Sequence, residues 1–229
     1  MQKNEFNSVL KRSITTRFDL ETSSVMRNTF ALLSMTILFS AFSAFLSMIT
    51  HASSVGSGLL LLMQIILITM IQKFRNSAWG ILLIFAFTGL LGYSLGPLLN
   101  AILKGYTNGG EIVLTTLGLT GGIFLSLSFY VSATRKNFNY LKGFLFAATI
   151  SIFLISLMAL LFNWQINTLI FPALIALLFT GWILFDVSRI VHNEETNYII
   201  ATLNLYINIF NLFVSLLMII TNLANNRRN

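Results

Sequence analysis

A chain of 229 residues that is 56% hydrophobic and only 9% charged, with a mean hydropathy of +0.82, falls far short of the roughly 25% charged residues of a soluble domain. Such a composition describes one integral membrane domain, and the lack of cysteine excludes a disulfide framework and any thiolate metal site. The formal charge of +7 (14 basic minus 7 acidic) sits at the ends of apolar stretches, without a basic patch interleaved with aromatics, which excludes nucleic acid as a partner and leaves the lipid bilayer.

The first 26 residues are polar and form a cytoplasmic N-terminal tail (1–26) with no cleavable signal. Seven apolar stretches follow, each a candidate for crossing about 30 Å of hydrocarbon, which takes roughly 20 helical residues. They run from Asn28 to Thr50, Gly56 to Ile71, Ala78 to Leu99, Glu111 to Val131, Leu141 to Phe162, Asn167 to Val191 and Asn197 to Leu223, the second being the shortest. The expected architecture is an all-α membrane protein, a seven-transmembrane-helix bundle over residues 27–224 with the seventh helix central. A short C-terminal tail covers 225–229.

Charge sets the expected orientation. With the N-terminus in the cytoplasm, the inner segments carry Lys3, Lys11, Arg12, Arg17, Arg27, Lys73, Arg75, Arg135, Lys136, Lys142 and Arg189. The outer segments carry Lys104, Arg227 and Arg228. Eleven against three is a positive-inside bias, and seven spans leave the C-terminus outside.

Small residues mark where helices approach closely without a hydrophobic driving force. On the third span Gly89, Gly92 and Gly96 share a side, and Pro97 should kink or end that helix. On the first span Ser40 with Ala44 and Ser43 with Ser47 are small pairs four apart, and Gly118 and Gly122 form a GxxxG on the fourth. The stretch Tyr106 to Gly110 reads as a turn.

Catalytic and metal constellations fail on context. Gly92-Tyr93-Ser94-Leu95-Gly96 matches G-x-S-x-G, but a nucleophile elbow needs a strand–turn–helix and a nearby His and acid. Here the pattern lies in a membrane helix with His51 and His192 on opposite sides, so no catalytic residue is expected. His192, Glu194 and Glu195 read as a solvated loop between the sixth and seventh spans, and no cluster has metal-ligand spacing. No cofactor is expected.

The polar residues inside the spans are more informative. Asn204, Asn208, Asn211 and Ser215 recur in steps of four, three and four, which puts them on one helical face. An amide in hydrocarbon must find a partner, so this face should look into the bundle. Asp186, on the sixth span, is the carboxylate deepest in the membrane, roughly 9 Å below the end of its helix. Counting back through the loop sets Asn204 near its level and Asn208 about one turn deeper. Asp186 with Asn204, Asn208 and Asn211 is thus the candidate ion- or proton-sensing group, for Ca2+ or H+, set against a purely structural polar contact.

The segment from Ala86 to Leu103, AFTGLLGYSLGPLLNAIL, resembles the glycine-proline signature of the Bax inhibitor-1 family of seven-span membrane proteins. The last hairpin, Phe185 to Ile220, does so too, and the similarity extends over the chain from Arg27. Gly92, Gly96 and Pro97 are the helix-packing core of that signature. Within the family the resemblance is to the bacterial inner-membrane branch that modulates the membrane-bound AAA protease FtsH without being an enzyme. It implies that the protease engages the N-terminal tail. In calcium-leak members a carboxylate on the sixth helix pairs with one on the seventh. Asp186 matches the first, whereas the second falls on Asn208, a departure that counts against a pH-sensitive leak of that kind.

Overall fold

The computed structural model describes the backbone of residues 2–50 and 57–226, and the side chains of 24–50 and 58–225. His51, and the Arg227-Arg228 pair expected outside, lie beyond the described residues. The described chain consists of α1 (Gln2–Ile49), α2 (Ser57–Lys73), α3 (Ala78–Gly105), α4 (Gly109–Thr134), α5 (Leu141–Phe162), α6 (Ile170–Val191) and α7 (Tyr198–Asn226). The expected spans correspond to these helices within a few residues, with two differences at the start of the chain. The backbone of the polar N-terminal segment is helical from Gln2 and continuous with the first span. The second helix has 17 residues, about 25 Å, which puts it at the short end of what crosses the hydrocarbon layer. Six helices of the described residues are long and apolar enough to cross: Ser24–Ile49 of α1, α3, α4, α5, α6 and α7 up to Asn225.

Capping explains several boundaries. Ser77 accepts a hydrogen bond from the Trp79 amide and starts α3. Asn197 accepts from the amides of Ile199 and Ile200 and starts α7. Asn163 stops α5 in the left-handed conformation that asparagine tolerates, at φ 49°. Pro97 does not end α3, which continues to Gly105. In a membrane, neighbouring helices hold such a helix together through the loss of one backbone bond.

Two surfaces carry most of the packing between helices. The first is the α1–α3 crossing. A Cβ built on Gly92 would lie 2.2 Å from the Ser40 carbonyl oxygen, and one on Gly96 would lie 2.3 Å from the Ser47 Oγ. The α3 glycines thus receive the small residues of α1, and the two backbones touch. Gly118 and Gly122 do not behave this way: both face outward with open space beyond them, so the fourth-span GxxxG packs against no helix among the described residues. The second surface is α7, which packs against α1, α2, α3, α4 and α6 and buries Leu203, Leu205, Tyr206, Leu212 and Leu217. By contrast, α5 leans on α6 alone, and within it only Leu145 is buried. Its row of phenylalanines, including Phe144, Phe146 and Phe153, is exposed, as suits a lipid-facing helix.

These contacts separate the two glycine motifs by experiment. Gly92→Ala should lower unfolding stability in mixed micelles by about 1–3 kcal/mol, the usual cost of overpacking a tight site. Gly118→Ala should be neutral or stabilising by up to about 1 kcal/mol, because alanine is the better helix former and meets nothing.

Candidate functional site

The sixth and seventh helices bring a buried carboxylate and a buried amide together. Asp186 and Asn208 are 7% and 6% exposed, and Asn208 Nδ2 donates to Asp186 Oδ2 at 2.7 Å. Sequence counting placed Asn204 opposite the carboxylate, one turn nearer the loop. The shift has a visible cause. Asn197, the cap of α7, donates to the Arg75 carbonyl and to Asn76 Oδ1 at 3.0 and 2.8 Å, so α7 starts from the α2–α3 turn instead of directly beneath α6.

The other members of the amide stripe do different things. Asn204 is half-buried and lines a cleft of about 610 Å³ together with Asp186, Asn208, Trp182, Lys142 and Arg189. Asn211 donates to the Ile207 carbonyl of its own helix at 2.8 Å, and Ser215 returns to the Asn211 carbonyl at 2.7 Å. Of the four side chains, Asn208 is the one that bonds across a helix interface to Asp186.

The cleft beside Asp186 is lined by as many acids as bases. Arg189, one turn along α6, places Nη1 4.0 Å from Asp186 Oδ1 and Nη2 3.2 Å from Glu195 Oε2, with its guanidinium over the Phe185 ring. Lys142 and Glu194 also line the cleft. On the lining itself Asp186 and Glu194 face Lys142 and Arg189, with Glu195 off the lining, so the cleft does not concentrate cations as a single-sign funnel would.

Next to this cleft, His192, Glu194 and Glu195 lie in a loop with Glu194 exposed, as expected, and His192 and Glu194 also form a clamp. His192 sets Nδ1 2.8 Å from the Ser188 carbonyl and Nε2 3.0 Å from the Arg135 carbonyl. Asn139 donates to Glu194, and the Phe138 amide donates to Ser188 Oγ at 3.0 Å. The α4–α5 turn is thereby tied to the end of α6. The left-handed backbone of Arg135, at φ 48°, turns its carbonyl into this contact. Among the described residues no group of three or more His, Asp or Glu could hold a metal ion.

A second polar knot escaped sequence reading. Tyr206 hydroxyl lies 2.6 Å from Ser40 Oγ and donates to the Thr88 carbonyl at 3.2 Å, joining α7 to α1 and α3. The tyrosine offers no signal of its own in an aromatic-rich helix. Its position two residues before Asn208, on nearly the opposite face of the helix, is the one available clue.

Comparison with known proteins gives this arrangement a family. The family model described as inhibitor of apoptosis-promoting Bax1 matches residues 22–227. The chain belongs to the Bax inhibitor-1 family. It is 41% identical over 202 residues to the modulator of FtsH protease YccA from Escherichia coli K12, covering 88% of this chain and 91% of that protein. It is 43% identical over 211 residues to an uncharacterized membrane protein of Vibrio cholerae, covering 90% and 93%. The Bax inhibitor 1 of Schizosaccharomyces pombe is more distant, at 29% over 170 residues and 72% and 60% coverage. This family member is therefore a multi-pass membrane protein, and its Escherichia coli relatives include one named as an inner membrane protein.

The division of labour within the amide stripe is measurable. Asn208→Ala should cost about 1–3 kcal/mol of stability by leaving a buried carboxylate short of a partner. Asn211→Ala, which removes only a bond within its own helix, should cost less than about 1 kcal/mol. A double-mutant cycle with Asp186→Asn should show coupling to Asn208 and none to Asn211.

Proposed function

We propose that this Bax inhibitor-1 family protein is a bacterial inner-membrane modulator of a membrane-bound AAA protease of the FtsH type, and that it acts by protein–protein contact and not by catalysis. The observation that carries the reading is the 41% identity, over nearly the whole of both chains, to a protein named as a modulator of FtsH protease. In this reading the chain crosses the membrane seven times, α2 included, with α7 at the centre, the N-terminus in the cytoplasm and the C-terminus outside. The excess of basic residues in the inner segments supports that orientation. The polar N-terminal segment is the part the protease engages, and the α1–α3 and α6–α7 contacts make the body resist extraction.

Cross-linking in native membranes followed by affinity purification of the full chain should recover the protease. Deleting residues 1–23 should slow the protein's own turnover. Failure to recover the protease, together with unchanged turnover of the truncated chain, would overturn the proposal.

One observation favours a second reading, a cation leak gated around Asp186: the buried carboxylate borders a polar cleft and contacts the seventh helix. Against it stand the neutral Asn208 and the balanced charges of the cleft. Purified protein in liposomes loaded with a calcium-sensitive dye should show no flux above empty liposomes at mildly acidic or mildly basic pH. Asn208→Asp, which creates a coupled pair of carboxylates, should introduce a pH-dependent flux if the leak reading is right.

A further inference from the structure

On the side of the bundle away from Asp186, the backbones of α1 and α4 stay apart, and α7 lies behind the gap. Among the described residues α1 and α4 have no direct packing of main chains, although each packs near or on α7. The result is a groove of about 310 Å³ with Ala41 and Phe45 on one wall, Leu117 and Gly121 on the other, and Phe210 and Phe213 as its floor. At its deep end the rings of Phe30 and Phe124 close the gap edge to face, 6.0 Å between centroids. At the other end the lining stops at Met48 and Val113, near the α3–α4 turn, where Asn100 donates to the Met48 carbonyl.

Shape selects the occupant. The lining runs from Ile37 to Met48 on α1 and from Val113 to Phe124 on α4. Both intervals are eleven residue steps, about 16 Å of helix. Over that length a helix some 10 Å across would fill about 1,300 Å³, more than the roughly 1020 Å³ of space in and before the groove. A helix of another protein or of a second copy cannot enter; a single extended hydrocarbon chain can. The groove also runs along the helix axes, the direction in which lipid chains lie.

Chemistry agrees. The hydroxyls on the lining are already satisfied within the protein, Ser40 by Tyr206 and Thr120 by the Thr116 carbonyl. The walls therefore offer water or an ion nothing to bind, and present almost wholly carbon. Gly121 widens the groove, since a Cβ there would meet nothing within 4 Å.

We propose that this groove holds one acyl chain of a membrane phospholipid, inserted from the leaflet on the side of the α3–α4 turn. The site is separate from the Asp186 cleft and does not depend on the protease reading.

The test places the full chain in liposomes of phosphatidylethanolamine and phosphatidylglycerol, with a small fraction of phosphatidylethanolamine carrying a diazirine in one acyl chain. After irradiation, adducts are mapped by mass spectrometry. Adducts on Ala41, Phe45 and Leu117 should exceed those on the exposed α5 residues Phe146 and Phe153 several-fold. Gly121→Phe, and separately Ala41→Phe from the opposite wall, should abolish that excess and leave the α5 adducts unchanged. Equal labelling of groove and α5 in the unaltered protein would overturn the proposal whether or not the variants fold. An excess that survives both filled-groove variants would overturn it too. Because the chain has no cysteine, Leu117→Cys reports the rival occupant cleanly. A quantitative disulfide dimer of that variant in the liposomes would assign the groove to a second copy instead.

Discussion

A carboxylate and an amide buried within apolar helices have no solvent to fall back on, and each must be satisfied by protein. The bond from Asn208 to Asp186 meets that demand across the α6–α7 interface, in a pair of residues almost wholly removed from the surface. Around it the same constraint recurs in other forms. Tyr206 reaches Ser40 and the Thr88 carbonyl, Thr202 returns to the Tyr198 carbonyl, and Trp182 of α6 donates to Thr149 of α5. Polar contacts of this kind choose among arrangements that apolar surface alone would leave nearly equivalent, since lipid is as good a neighbour for leucine as another leucine is.

Close backbone approach is the second organising device, and along the spans it is strongest in one helix pair. The α3 glycines meet the Ser40 to Ser47 face of α1 at distances that admit no Cβ. Gly118 and Gly122 of α4 face open space. The difference has a structural consequence: α1 is drawn onto α3, α4 is left free of α1, and the gap between them becomes the apolar groove. One glycine motif closes an interface, and the other keeps a surface thin.

Two cavities of the bundle have opposite characters for the same reason. Near the α4–α5 turn, the ends of helices gather charged side chains, and the cleft beside Asp186 contains acids and bases in balance. Along the spans of α1 and α4 every polar atom of the lining is bonded internally, and the groove there is apolar. For a member of the Bax inhibitor-1 family with asparagine at position 208, this separates a polar region suited to holding helices and turns together from a greasy one suited to lipid.

How much of this was legible in the residues depends on the range of the physics involved. Hydropathy and length act locally, so the helices, their order and the membrane class were readable, down to the shortness of the second stretch. Spacing along a helix is also local, so Asp186 and the amide stripe could be singled out as groups that need partners. Which partner each obtains is not local. Asn208 and not Asn204 meets Asp186 because Asn197 anchors α7 on the distant Arg75-Asn76 turn, which moves the helix by about one turn relative to its neighbour. Likewise two glycine motifs of the same sequence type diverge because only one finds a small-residue face opposite. The sequence by itself determined what must be buried and what must be bonded. The tertiary structure alone decided who bonds whom, because helix register is set at the loops, far along the chain from the side chains it aligns.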